Sequence, residues 1–332
     1  MGKFHLLLFA LTMLFTSSAF ADLSPPPGER PIIVQVGTFI ADVDSIDTAG
    51  QGFEARVFYE LRWHDPRLKH NNKQPIVKKI TEIWSPNVQI LNQQRAWSKS
   101  GNNVRILPSG DVIYLQTIWA SFSQPLDLHA FPFDSQKFNL QFLSIGASTL
   151  NLIKLVPDKT GRSGIADKLS ITDWSVVNWS YDTTNYEHKD VIQVPMITYS
   201  FEANRLTSYF IVKMIIPLIM IVMMSWAVFW MDPTNVASNV SISITSMLTL
   251  IAFRFSADSL LPLLSYLTRL DYFILASSIL VFFSLIQNLT TSSLAKKGCL
   301  NKSYKLDKAC RFVFPLVFVL IILETLVYGV VM

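Results

Sequence analysis

The chain has 332 residues, 50% of them hydrophobic, with 28 Lys and Arg against 24 Asp and Glu and only two cysteines. That composition excludes a disordered or collagen-like chain, and so few cysteines exclude a disulfide scaffold. The small basic excess sits in one short stretch, which argues against a nucleic-acid footprint and for another origin of the charge.

Residues 1–21 read as a secretory signal, with Lys3, an apolar run from Phe4 to Phe15 and Ala19-Phe20-Ala21 as the small-residue cleavage site. The mature chain then starts near Asp22, and the domain that follows leaves the cytoplasm. Pro25-Pro26-Pro27 makes an extended leader. From 22 to 205 the pattern is that of strands. Phe53, Ala55, Val57, Tyr59, Leu61 and Trp63 alternate with Glu54, Arg56, Phe58, Glu60 and Arg62. Similar runs occur at Ile32 to Ile40, Val112 to Phe122, Phe138 to Leu143, Leu150 to Val156 and Val191 to Phe201. Turn signals such as Pro108-Ser109-Gly110-Asp111 and Lys159-Thr160-Gly161 separate them. The expectation is an all-β, immunoglobulin-like sandwich. It contains no cysteine, so core packing alone must hold it together.

After Arg205 the composition changes abruptly. Four apolar stretches, about 209–231, 237–261, 270–294 and 312–332, follow one another. Each is near or above the ~20 residues that cross a ~30 Å hydrocarbon core. An all-α four-helix transmembrane bundle over 206–332 is expected, with Pro217 marking a kink in the first helix. Lys296, Lys297, Lys302, Lys305, Lys308 and Arg311 crowd a short loop, 295–311, opposed only by Asp307. This is the positive-inside signature and makes that loop cytoplasmic. An exported sandwich, an inward-running first helix and a C-terminus returned to the outside then agree. The expected location is a cell inner membrane, crossed several times, with the N-terminal domain in the periplasm. Cys299 and Cys310 lie in the basic loop, where they stay reduced and fit no zinc spacing. No metal or cofactor motif is evident.

The second apolar stretch is too polar for lipid. Ser241, Thr245, Leu248, Ala252 and Phe255 follow spacings of 4, 3, 4 and 3, so they share one helical face. One helix cannot enclose a cavity, so the stripe suggests several copies in a ring around water. Hydroxyls replace part of an ion's hydration shell, whereas narrow rings of Leu and Phe empty of water and close. Leu248 and Phe255 are therefore the gate candidates.

Gln124 to Phe138 reads QPLDLHAFPFDSQKF. Its core, Phe131-Pro132-Phe133-Asp134-Ser135-Gln136, resembles the signature loop of pentameric ligand-gated ion channels. Gln124 and Phe138 stand where animal members carry bracketing cysteines, a departure shared by the bacterial branch. Trp63-His64-Asp65-Pro66-Arg67-Leu68, Trp84-Ser85-Pro86-Asn87, Arg205, Pro217 and Ala309 to Leu316 resemble further family landmarks in family order. The resemblance covers the whole mature chain and implies a homo-pentamer in lipid that passes inorganic ions, with the stripe on the channel axis. It also implies that Asp134 faces Arg205 at the domain boundary, with Asp47 as a third member of a charge cluster that couples the sandwich to the pore.

In the family, agonists bind between neighbouring sandwiches. Carried over by position, Phe58, Ile113 and Leu115 belong to one side of that site and Leu91 and Ile145 to the other. Tyr181 and Tyr186 fall in the segment expected to cap it. This box is poor in aromatics, which leaves a small amine, an aromatic acid or protons as openers. The inner mouth has Val236-Ala237-Ser238-Asn239, with Asp232 the nearest acid; near the outer end Asp258 either supplies a ring of negative charge or pairs with Arg254 one turn below. Cations are expected, by analogy with bacterial relatives. Glu324, inside the fourth stretch, is expected to face the helix bundle, protonated or hydrogen-bonded, with a lipid or proton sensor as the alternative. The rival reading is a membrane-anchored periplasmic sensor that conducts nothing. An enzyme is third, since Ser293-Leu294-Ala295-Lys296 matches S-x-x-K without partner motifs.

Overall fold

The computed structural model describes residues 23–145, 152–188, 192–258 and 264–328. Strands β1 (Ile32–Asp47), β2 (Gly52–His64), β3 (Ile76–Lys79), β4 (Val88–Ile90), β5 (Gln93–Lys99) and β6 (Asn103–Ile106) come first. They are followed by β7 (Asp111–Ser123), β8 (Ser135–Ser144), β9 (Ile153–Pro157), β10 (Gly164–Ile165), β11 (Trp174–His188) and β12 (Ile192–Arg205). One sheet runs β10-β1-β2-β7-β6-β3, with β9 on β1 and β5 on β7, and the other runs β11-β12-β8-β4.

The alternation read in β2 is realised: Phe53, Ala55, Val57, Tyr59, Leu61 and Trp63 are all buried. Period-two patterning puts every second side chain between the sheets. There Phe53 stacks on Phe122 at 5.1 Å, while Phe138 lies 5.0 Å from Phe201 and 5.7 Å from Trp174. Rings of this size bury enough area to replace the missing disulfides. Strand β11 has no counterpart among the sequence runs. It is an edge strand rich in Ser, Asn, Asp and Thr, and pairing with β12 along its whole length holds it.

Four helices are long and apolar enough to cross a membrane: α1 (Ser208–Trp230), α2 (Val236–Asp258), α3 (Arg269–Lys296) and α4, which starts at Leu300. In α1 a π turn over Ile211–Ile215 ends two residues before Pro217. The wider turn accommodates a ring that has no N–H to donate. Thr268 and Asp271 form a reciprocal capping box at the start of α3.

The expected loop 295–311 is largely helix. Only about Lys297–Cys299 separates α3 from α4, with Gly298 at φ +76° making the turn. Lys302, Lys305, Lys308 and Arg311 therefore sit on the first turns of α4. Lys, Leu and Ala are good helix formers, so the helix starts well before the apolar run does. Asp307 also ties this part of α4 to α3, accepting from Gln287 at 3.0 Å. Glu324 is exposed on the last turns of α4 rather than turned into the bundle.

Candidate ion pathway and coupling interface

On α2, the side chains of Asn239, Ser243, Ser246, Leu250 and Ala257 are buried against the rest of the bundle. They sit two residues from the Ser241–Phe255 stripe, about 200° around a 3.6-residue helix. The stripe thus points away from its own chain. Leu248 is 61% and Phe255 73% exposed, and Ser241, Thr245 and Ala252 are exposed as well. The Thr245 hydroxyl donates to the Ser241 carbonyl at 2.8 Å. Its proton is committed to the helix, so the oxygen offers only lone pairs to the open face. Arg254 is exposed, and the side chain of Asp258 lies outside the described residues, as does part of the connection to α3.

At the boundary of sandwich and helices, β12 ends on Arg205. Its Nε donates to Asp134 Oδ1 at 2.7 Å and its Nη2 to Oδ2 at 3.1 Å, a two-pronged pair that is almost wholly buried. The guanidinium lies 4.2 Å from the Trp174 ring centre, 4.9 Å from Phe131 and 5.8 Å from Phe210 of α1. Gln136 donates to the second Asp134 oxygen at 2.7 Å. A buried charge pair needs such a complete set of partners, because each ion has left water.

Asp47 is not the third member. The position is taken by Thr48, whose hydroxyl accepts from Arg205 Nη1 at 3.2 Å. Asp47 instead closes its own turn by accepting from the Gly50 amide at 2.8 Å. A short carboxylate in a tight hairpin satisfies the nearest backbone N–H first. Of the signature loop, Phe131 and Pro132 are buried and Phe133 half-buried, and Phe131 meets Phe210 edge-on at 4.9 Å. Its backbone also reaches α3, with the Leu270 amide donating to the Phe131 carbonyl at 3.3 Å. Thr48 and Trp174 carry no motif and were missed; only their neighbourhood to Arg205 in space reveals them.

The seven agonist candidates divide between the sheets. Phe58, Ile113 and Leu115 lie on the outward face of β2 and β7, where Phe58 opposes Thr117 and Leu115 opposes Glu60. Leu91 follows β4, Ile145 follows β8, and Tyr181 and Tyr186 lie on β11, on the other sheet. Tyr181 and Tyr186 are thus on a strand paired with Tyr199 and Val194, rather than in a loop. One chain does not bring the two groups together. A cavity of about 990 Å³ opens on one sandwich and is lined by Tyr59, Trp84, Lys99, Tyr114 and, of the seven candidates, Ile145.

Residues 11–207 match the family model of the neurotransmitter-gated ion-channel ligand binding domain, and 214–298 match that of the transmembrane region. The chain is 26% identical over 318 residues to the proton-gated ion channel of Gloeobacter violaceus, covering 92% of this chain and 87% of that protein. Both regions are thus carried in order on one polypeptide, and the chain belongs to the neurotransmitter-gated ion channels, the pentameric ligand-gated channel family, whose members are multi-pass membrane channels and not enzymes.

Proposed function

We propose that five copies of this chain close a ring in the inner membrane, with the sandwiches in the periplasm and the Ser241–Phe255 face of α2 lining a cation pathway. The observation that carries this reading is the geometry of α2. A polar-to-apolar face stands opposite the face that packs, and only further copies around water give it a suitable environment. Thr245 oxygens that act only as acceptors favour a cation over an anion. Leu248 and Phe255 form the gate. A small ligand or protons acting on the sandwich open it, through the Arg205–Asp134 joint and the Phe131–Pro132–Phe133 turn.

The placement of Phe58, Ile113 and Leu115 on one sheet and Leu91, Ile145, Tyr181 and Tyr186 on the other supports an agonist site between neighbouring copies. The relative named a proton-gated ion channel supports including protons among the openers. Purified protein in planar bilayers tests the whole reading. Single-channel steps in a screen of pH and small amines are expected, with a reversal potential that follows the cation gradient and with Leu248→Ser easing opening. Silence across that screen, together with a well-formed ligand complex, would favour a non-conducting sensor.

A further inference from the structure

His129, just ahead of the signature loop, has no place in the coupling scheme above, yet it makes the closest ring contact described between the two domains. Its ring lies flat on Tyr266, in the connection between α2 and α3, with centroids 3.8 Å apart and planes 9° from parallel. Three backbone links secure the contact. The Arg269 amide donates to the His129 carbonyl at 3.0 Å, the Leu128 amide donates to the Tyr266 hydroxyl oxygen at 3.1 Å, and the Leu270 amide reaches Phe131. On its other side, His129 Nδ1 is 2.6 Å from Asp127 Oδ1.

We propose that His129 is a proton-binding coupling residue, and that its protonation clamps the sandwich onto the α2–α3 connection. A protonated ring pairs its Nδ1–H with a full negative charge on Asp127 and sets a cation on the face of Tyr266. A neutral ring keeps the stack but loses both charge contributions. Other charged groups stand close by among the described residues. Asp127 is its carboxylate partner and is held below the usual carboxylate range, chiefly by the bond from His129. From α3, Arg269 meets His129 through its backbone amide, while the Asp271 carboxylate is occupied by Thr268. Behind the loop, Asp134 and Arg205 satisfy each other. Asp127 shares the loop of His129 and stays beside it clamped or released, so what the clamp adds for a charged ring is the face of Tyr266.

The sign follows. A charged ring gains the Tyr266 face only in the clamped state, so the clamp is expected to tighten as pH falls and to loosen as pH rises. A cation–π contact of about 1.4 kcal/mol corresponds to a ~10-fold change in the gating equilibrium.

His64 supplies an internal control. Its Nδ1 is 2.7 Å from Asp111, the same pairing chemistry, but it sits at the end of β2, at the pocket of Ile33 and Leu107 within the sandwich. The inference rests on the channel reading for its consequence but not for its contact, so two readouts are needed on the full-length protein. In bilayers, the opening response of wild type is expected to change ~10-fold between about pH 5.5 and 7.5. His129→Gln should flatten that change to under about threefold while His64→Gln retains it. A wild-type pH profile in His129→Gln, or an equal flattening in His64→Gln, would overturn the proposal. If no current is ever seen, the channel reading fails by itself, and melting of the solubilised protein over the same pH range judges the clamp. His129→Gln and Tyr266→Leu should then remove the same portion of the pH dependence. Profiles that coincide with wild type would overturn it.

Discussion

The sandwich and the helix bundle hide different chemistry. Between the sheets the largest buried side chains are rings, with Phe53, Phe122, Phe138, Phe142, Tyr199 and Phe201 all nearly inaccessible. Between the helices, Ser225, Asn239, Ser243, Ser246, Ser284, Asn288, Thr291 and Ser303 are buried alongside the apolar residues. Asn288 donates across to the Ser243 hydroxyl at 3.0 Å, Ser284 to the Ser225 carbonyl at 2.8 Å and Ser303 to the Thr291 carbonyl at 3.0 Å. In water, removing rings from solvent drives assembly. In lipid that gradient is absent between helices, and small residues that pack closely and bond across take its place. The lesson is that rings carry the core of one half while small hydroxyls join the elements of the other, and the few hydroxyls the sandwich buries, such as Ser144 and Ser200, are hydrogen-bonded too.

That contrast can be broken from its strong side first. Phe138→Ala removes a ring shared by Phe53, Phe201 and Trp174, and a cost of ~3–5 kcal/mol is expected from the lost burial and the cavity left behind. A clear fall in melting temperature of the full-length protein checks it. A near-neutral result would mean that the sandwich is not held by its rings.

At the joint between the halves, Asp134→Asn strands the buried Arg205 charge and is expected to destabilise the closed joint by ~3–5 kcal/mol. Arg205→Glu should abolish gating while the oligomer still assembles, as judged by size-exclusion profile and surface expression alongside current. Normal currents would end the coupling role.

In the bundle, Asn288→Ala should cost only ~0.6–2 kcal/mol. Measured by melting in a membrane-mimetic, a loss as large as that of Phe138→Ala would contradict the comparison. The smallest effects belong to the surface carboxylates of the sandwich. Asp111 is held low chiefly by the Ser109 hydroxyl and Asp127 chiefly by His129. A lowered folded pKa means stability that is present above the ordinary carboxylate value and lost as pH falls through the lowered one. Asp111→Asn should therefore shallow the acid limb of a stability profile below about pH 4 and leave neutral pH nearly unchanged.

Much of this was legible before any coordinates. Period-two alternation identified β2 and β7, and apolar length identified four crossings, because both signals are local and repeat many times. The failures were of two kinds. The strand β11 and the first turns of α4 are too polar to stand out, and what holds them is a partner: β12 along the hairpin for one, and the Asp307–Gln287 bond to α3 for the other.

The second kind concerns the site. The order of residues determined by itself that a signature turn, a terminal arginine and a hydroxyl-to-apolar helix face coexist on one chain, since each is a pattern of neighbours along the backbone. Only the tertiary structure decided who meets whom. It put Thr48 rather than Asp47 on Arg205, surrounded that guanidinium with Trp174, Phe131 and Phe210, and laid His129 on Tyr266. Several of these contacts join distant residues, 74 positions apart for Arg205 with Phe131 and 157 for Arg205 with Thr48. At that separation chain order carries no distance, and sheet register and loop closure determine which partner arrives first.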